Sequence, residues 1–292
     1  MSEGTRLNKY LASCGVGSRR ACDALVQEGH VEINGQPCLS PAQRVEPGDH
    51  VKVDGRRVAA KDNSVIMLHK PRGLVCTKRD ELGRDTIYEL FPGSLQHLHH
   101  VGRLDRESEG LLVMTNDGTL SQSLLHPSKN IEKEYIVTAN QIVRDEHLDQ
   151  FLSGLYTEDG KLKAQEIERL SPRRIRIVLI TGHKRQIRMM FKTLGYHVQR
   201  LIRIRIGSFE LTDIPPGKWR TISEDEIALL KINPDNKKRI KARRKPRSKE
   251  AREAGRRPAR KAAKKAAKRA TKKQTRRPPA GLAKKKSRKR KY

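Results

Sequence analysis

The segment GRLDRESEG, with Gly102 and Gly110 at its ends, places the carboxylate of Asp105 between Arg103 and Arg106 and adds Glu107 and Glu109 after it. Guanidinium neighbours keep such a carboxylate ionised. It can then attack an electrophilic carbon, stabilise positive charge or accept a proton. The following GLLVMT reads as a buried strand, so Asp105 lies in a loop carried by a rigid element, where catalytic groups concentrate. An aspartate in a polar loop is also a common turn former, and composition alone favours that role. Tyr135, in NIEKEYIVTA, starts a strand after three charged residues. Its ring could stack on a nucleobase, although core packing is the commoner fate of such a tyrosine. In ITGHKRQIRMMFKTLG a glycine turn leads into a helix opening with Lys184, Arg185, Gln186 and Arg188. Arg185 and Arg188 are expected on one side, with Ile187, Met190, Phe191 and Leu194 on the other. That cationic side suits phosphates or a carboxylate, and plain solvation accounts for it equally well.

Other candidates fail sooner. His97, His99 and His100 form HLHH without partners at metal-ligand spacing. Gly15-Val16-Gly17 has Arg20 where a dinucleotide fingerprint needs its third glycine, and there is no GxxxxGK[ST] loop. Cys14, Cys22, Cys38 and Cys76 contain no CxxC pair. Neither a zinc site nor a disulfide framework follows, and reduced thiols are expected. The first residues lack the apolar core of a signal peptide, and no apolar run is of bilayer length. The expected location is the cytoplasm.

Residues 5–58 read as a small binding module. TRLNKYLASCG and SRRACDALVQEG are short helical patterns, the second opened by Ser18 at an N-cap position before Arg19 and Arg20. VEI before Asn34-Gly35 and VKV before Asp54-Gly55 predict two hairpins. Residues 59–64 read as a polar linker. From Val65 to Leu230, VIML, GLLVMT, EYIVT, RIRIVLI and VQRLIRIRIG read as strands. TLSQSLLH, EHLDQFLSGL, KRQIRMMFKTLG and SEDEIALLK read as helices. The fold class is α+β with a mainly antiparallel sheet flanked by helices. The alternating arginines of RIRIVLI and LIRIRIG predict one apolar and one cationic sheet face. The cationic face would be either solvated or an RNA-facing wall.

Of the 292 residues, those from 236 onward hold 29 Lys and Arg against Glu250 and Glu253, a charge of +27. Residues 1–235 carry 35 basic and 31 acidic groups, or +4. A nearly balanced body thus precedes a polycationic tail that cannot bury a core and is expected to be disordered. Its partner should be polyanionic, nucleic acid before an anionic membrane surface.

Together these segments resemble a known family. GRLDRESEGLLVMTNDG, the KEY of 133–135, GHKRQIRMM and RLIRIRIG are similar, in the same order, to the sequence blocks of bacterial ribosomal pseudouridine synthases of the Rsu/Rlu type. HKPRGLVCT at 69–77 resembles the first block of that family, and PPGKWRTISEDEI its usual ending. Residues 5–58 resemble the S-four type RNA-binding domain. The resemblance leaves out only the tail and implies three parts: an RNA-binding domain over 1–62, a catalytic domain over 63–235 and the tail over 236–292.

It implies a cofactor-free, metal-free isomerisation of a uridine in ribosomal RNA, with 23S favoured over 16S, by a monomer that does not engage membranes. By position in the blocks, Asp105 matches the catalytic aspartate, Tyr135 the tyrosine that stacks on uracil, and Arg188 the basic partner of the aspartate. Leu201 matches the apolar residue beneath the base, and Arg103 is a further candidate for substrate contact. Lys9, Arg19, Arg20, Lys184 and Arg185 are the candidate RNA contacts. His183 and Met189 stand where the family's third block usually has arginines, which puts in doubt the phosphate contacts those arginines would make. Two rival readings remain. A non-catalytic RNA-binding or ribosome-assembly protein would need no Asp105, Tyr135 and Arg188 together, and an RNA glycosidase would release free uracil.

Overall fold

The computed structural model describes residues 4–234, so the basic tail lies outside the described residues. The N-terminal module is built as its sequence signals require. Helices Leu7–Ser13 and Arg19–Gln27 pack together, and the Ser18 side chain accepts from the Ala21 amide at 3.2 Å. The strands Val31–Ile33 and Gln36–Pro37 join through Asn34 and Gly35 at φ 52° and 80°. Val51–Val53 and Arg56–Arg57 join through Asp54 and Gly55 at φ 49° and 73°. Positive φ at both central residues is the requirement of a tight hairpin turn, which Asn-Gly and Asp-Gly meet at least cost. Leu7, Leu11, Cys22, Val26, Val31, Val45 and Val51 form this module's core.

A nine-stranded sheet dominates the rest. Its main order is Glu166–Ser171, Arg174–Leu179, Lys133–Ala139, Val198–Ile206, Glu109–Thr115, Val65–Lys70 and Trp219–Thr221. His99–Val101 pairs with Glu109–Thr115, and Phe209–Glu210 with Val198–Ile206. Every described pairing in this sheet is antiparallel except that of Val198–Ile206 with Glu109–Thr115. That parallel pair sets Gly110 against Arg203, where a Cβ would lie 2.2 Å from the Arg203 carbonyl oxygen. Only glycine fits so close an approach. The last residue of GRLDRESEG thereby locks the Asp105 loop beside the central strand. Helices Gly118–Leu125, Asp145–Ser153, Gln186–Thr193 and Glu224–Leu230 add to the fold. Among the described residues no helix is long and apolar enough to cross a membrane.

Two sequence expectations need correction. The alternating arginines do not form one solvated cationic face: Arg174 is exposed, but Arg176, Arg203 and Arg205 are 7%, 3% and 1% exposed. Neighbouring strands supply acids at the same period. Arg205 meets Glu134 at 2.7 Å and Glu132 at 3.0 Å, while Arg176 meets Glu168 at 2.7 Å, Glu166 at 3.2 Å and Glu134 at 3.6 Å. Both strands are interior to the sheet, so Arg176 and Arg205 are buried and paired, while Arg203 is buried without an ion pair among the described residues. The second correction concerns Arg185. The helix begins at Gln186, and Arg185 is its N-cap at φ 55°, so Lys184 and Arg185 precede the helix instead of opening it. The Gln186 side chain, itself buried, accepts from the Thr181 hydroxyl and the His183 amide and ties down the preceding turn.

Candidate active site

Asp105 occupies a short turn in which its carbonyl accepts from the Ser108 amide at 3.0 Å. Beneath the turn lies Lys70, fully buried at the end of the strand Val65–Lys70. Its ammonium donates to the carbonyls of Pro71 at 2.9 Å, Ser108 at 2.9 Å and Arg106 at 3.4 Å. Burial pushes the Lys70 pKa down, and the electrostatic neighbours that raise it include Asp105, Glu107 and Glu109. The Gly73 amide donates to Arg106, Arg106 Nε donates back to Gly73, and the Cys76 thiol donates to Leu104. The HKPRGLVC stretch is therefore the cradle of the Asp105 loop. Lys70 is not among the residues to which the sequence blocks point. The available signal was a lysine ending a run of apolar strand residues, where a charge survives only with acceptors around it.

Arg188, in the first turn of its helix, is held from several sides. It donates to Val198 at 3.1 Å, to the Glu107 carbonyl at 3.0 Å and to the Ser108 hydroxyl at 3.4 Å. Its Nε is buried, makes no hydrogen bond among the described residues and lies 3.8 Å from Asp105 Oδ2. Burial lowers the Arg188 pKa and Asp105 raises it again. The Asp105 side chain is 31% exposed. The pair is thus an ion pair beyond hydrogen-bond reach, with a fixed cation and an accessible carboxylate. At the rim, Glu107 pairs with Arg72 at 3.0 Å and Glu109 with Arg200 at 2.8 Å. These arginines hold both carboxyls below their usual range.

Tyr135 is half-buried on Lys133–Ala139 and touches two apolar clusters, one containing Val137, Leu201 and Phe191, the other Cys76, Leu104 and Leu112. Leu201 is 5% exposed and stands opposite Val137 on the adjacent strand. Asp105 and Arg188 pair directly, while Tyr135 packs against the cluster that holds Leu201 and the one that holds Leu104, the residue before Asp105. Arg103 is exposed on the loop and forms no ion pair among the described residues. Lys184 and Arg185 are exposed in the turn before the helix, and Lys9, Arg19 and Arg20 are exposed on the N-terminal module. Among the described residues no group of three or more His, Cys, Asp or Glu is arranged to hold a metal. A shallow depression at the Glu166–Ser171 edge is lined by Ile142, Asp145, His147 and Arg169. In its lining Arg169 pairs with Asp145, and His147 with the Tyr196 hydroxyl.

Comparison with known proteins shows the family. Residues 64–193 match the RNA pseudouridylate synthase family and residues 5–51 the S4 domain. The dual-specificity RNA pseudouridine synthase RluF of Escherichia coli is 36% identical over 242 residues, spanning 82% of this chain and 82% of that protein. Ribosomal large subunit pseudouridine synthase B of Bacillus subtilis is 31% identical over 239 residues, spanning 80% and 98%. A crystal structure of a pseudouridylate synthase superposes with a TM-score of 0.58 at 28% identity, covering 77% of this chain and 99% of that one. With this fold, this loop and these relatives, the chain belongs to the RNA pseudouridine synthases.

Proposed function

We propose that this protein isomerises a uridine of ribosomal RNA, in the large subunit, with Asp105 as its catalytic carboxylate. The observation that carries the reading is the Asp105–Arg188 pair: a guanidinium anchored by three acceptors faces the carboxylate at 3.8 Å and leaves its oxygens open to a substrate. In the reaction the bond from the anomeric carbon to the uracil nitrogen breaks, the uracil turns, and its fifth carbon bonds to the anomeric carbon. The carboxylate has two routes, addition to the anomeric carbon or removal of the sugar 2′ proton. Both need it ionised, which Arg188 favours. Tyr135 stacks on the base and Leu201 lies beneath it. The uridine must leave its helix to arrive there. Arg103 on the loop contacts the substrate strand.

The large-subunit target is supported by the Bacillus subtilis relative, whose name carries that substrate and of which 98% is spanned. Residues 1–62 serve as the RNA-binding domain through exposed Lys9, Arg19 and Arg20, with Lys184 and Arg185 as further contacts and 63–235 as the catalytic domain. The protein acts as a monomer in the cytoplasm. The tail over 236–292, with its charge of +27, adds sequence-independent affinity. Truncation at Asp235 should flatten the dependence of RNA affinity on salt, because fewer counterions are released. An unchanged slope removes the tail from RNA binding. The target is found by carbodiimide primer extension over both ribosomal RNAs with and without the gene. One stop in 23S RNA should vanish in the deletion and return with wild type but not with Asp105→Ala. A stop confined to 16S RNA overturns the large-subunit assignment, and its return with Asp105→Ala overturns the role of Asp105.

A further inference from the structure

The sheet face bearing Tyr135 and Leu201 also bears two cations, one buried and one half-buried, that no carboxylate answers. Arg203 stands directly opposite Tyr135 on the neighbouring antiparallel strand, and such partners project to the same face. It is 3% exposed. Its Nε donates to the Leu111 carbonyl at 2.7 Å, while Nη2 is buried and makes no hydrogen bond among the described residues. Lys133 lies two positions before Tyr135 on one strand and donates to the Ile131 carbonyl at 3.0 Å. Burial pushes its pKa down to about 8, and repulsion from Arg203 adds to the effect. Neither Lys133 nor Arg203 forms an ion pair among the described residues, whereas Arg205 and Arg176 on the opposite face meet four glutamates between them.

Two like charges held together, one of them wholly and the other partly out of water, are costly unless acceptors satisfy them. The fold had acids at hand and placed them on the other face. Whatever binds beside Tyr135 must therefore bring acceptor oxygens and negative charge. A uracil ring has two carbonyl oxygens. When its glycosidic bond breaks, the electron pair stays on the ring nitrogen and spreads onto both. We propose that Lys133 and Arg203 bind the uracil carbonyl oxygens and stabilise the uracil anion between bond breaking and rejoining. This rests on the Asp105 reading above. The ring then returns an electron pair through its fifth carbon to the anomeric carbon, the fifth carbon of the ring loses its proton and the ring nitrogen that held the sugar gains one. Atoms and electrons balance without a further reagent. The same pair selects against cytidine, whose amino group would present donors to donors.

The test pairs each residue with an atom of the base. Single-turnover rates are measured on target RNA carrying uridine, 2-thiouridine or 4-thiouridine, because sulfur accepts hydrogen bonds poorly. Lys133→Met and Arg203→Met should each slow uridine conversion about 100-fold with RNA affinity kept within about threefold. Sulfur at one position should slow wild type at least about 10-fold, and the matching variant less than about threefold. Sulfur effects that are equal in wild type and both variants overturn the inference. If a melting curve shows Arg203→Met unfolded, Lys133→Met, at a half-buried position, decides the matter alone. Asp105→Asn run alongside separates the two readings. Activity in Asp105→Asn sinks the catalytic carboxylate, while missing coupling in an Asp105-dependent enzyme sinks only the role of Lys133 and Arg203.

Discussion

Arg205 and Arg203 sit two residues apart on one central strand, both almost wholly buried, and the fold treats them in opposite ways. Arg205 is held by Glu132 and Glu134 and by the Gly207 carbonyl. Arg203 has one backbone carbonyl and a nitrogen without a hydrogen-bond partner among the described residues. A register shift between Glu134 and Tyr135 falls between the two pairings, with Arg205 opposite Glu134 and Arg203 opposite Tyr135. The comparison separates a charge that builds the sheet from a charge kept for a ligand.

The largest effect should come from breaking the paired side. Glu134→Ala leaves Arg205 and Arg176 short of a shared acid in the interior, and unfolding in urea should show a loss of about 3–5 kcal/mol. A loss under about 1 kcal/mol would mean that water reaches these groups. On the other side, Lys133→Met should stabilise the free protein in a pH-dependent way. The folded-state value of Lys133, about 8, lies below its ordinary 10.5. The folded protein therefore carries the cost of the charge below pH 8, and wild type gains stability as pH rises from about 8 toward 10.5. The advantage of Lys133→Met should be roughly 1–3 kcal/mol below pH 8 and fade across that window. An advantage independent of pH would contradict the assignment. Smaller still, Arg203→Met should change stability by no more than about 1 kcal/mol in either direction, since an uncompensated charge is removed along with one hydrogen bond. A loss as large as that of Glu134→Ala would place Arg203 with the structural arginines.

Most strands and helices were legible because each buried face repeats at its own period. The two hairpins were legible because Asn34-Gly35 and Asp54-Gly55 leave the chain few other turns. The strands missed, among them His99–Val101, Glu166–Ser171 and Trp219–Thr221, are short or polar. Their pairing is decided by neighbours distant in sequence. Asp105, Tyr135, Arg188 and Leu201 were legible as ordered blocks, yet nothing local distinguished Asp105 from a turn former. The fate of the arginines was not legible. LIRIRIG shows one alternation, while pairing and burial depend on glutamates about 70 positions away in sequence, as the Arg205 bonds to Glu132 and Glu134 show. Lys70 and Lys133 were passed over for the same reason: their acceptors are backbone carbonyls, which side-chain patterns do not reveal.

The central claim is that a carboxylate fixed by Arg188 does the chemistry. Asp105→Asn keeps the shape of the side chain and removes its charge, so single-turnover pseudouridine formation on the mapped RNA fragment tests the claim most directly. The expected result is RNA bound within about threefold of wild type and no pseudouridine above the uncatalysed background. Pseudouridine formed by Asp105→Asn at a rate near that of wild type would contradict it.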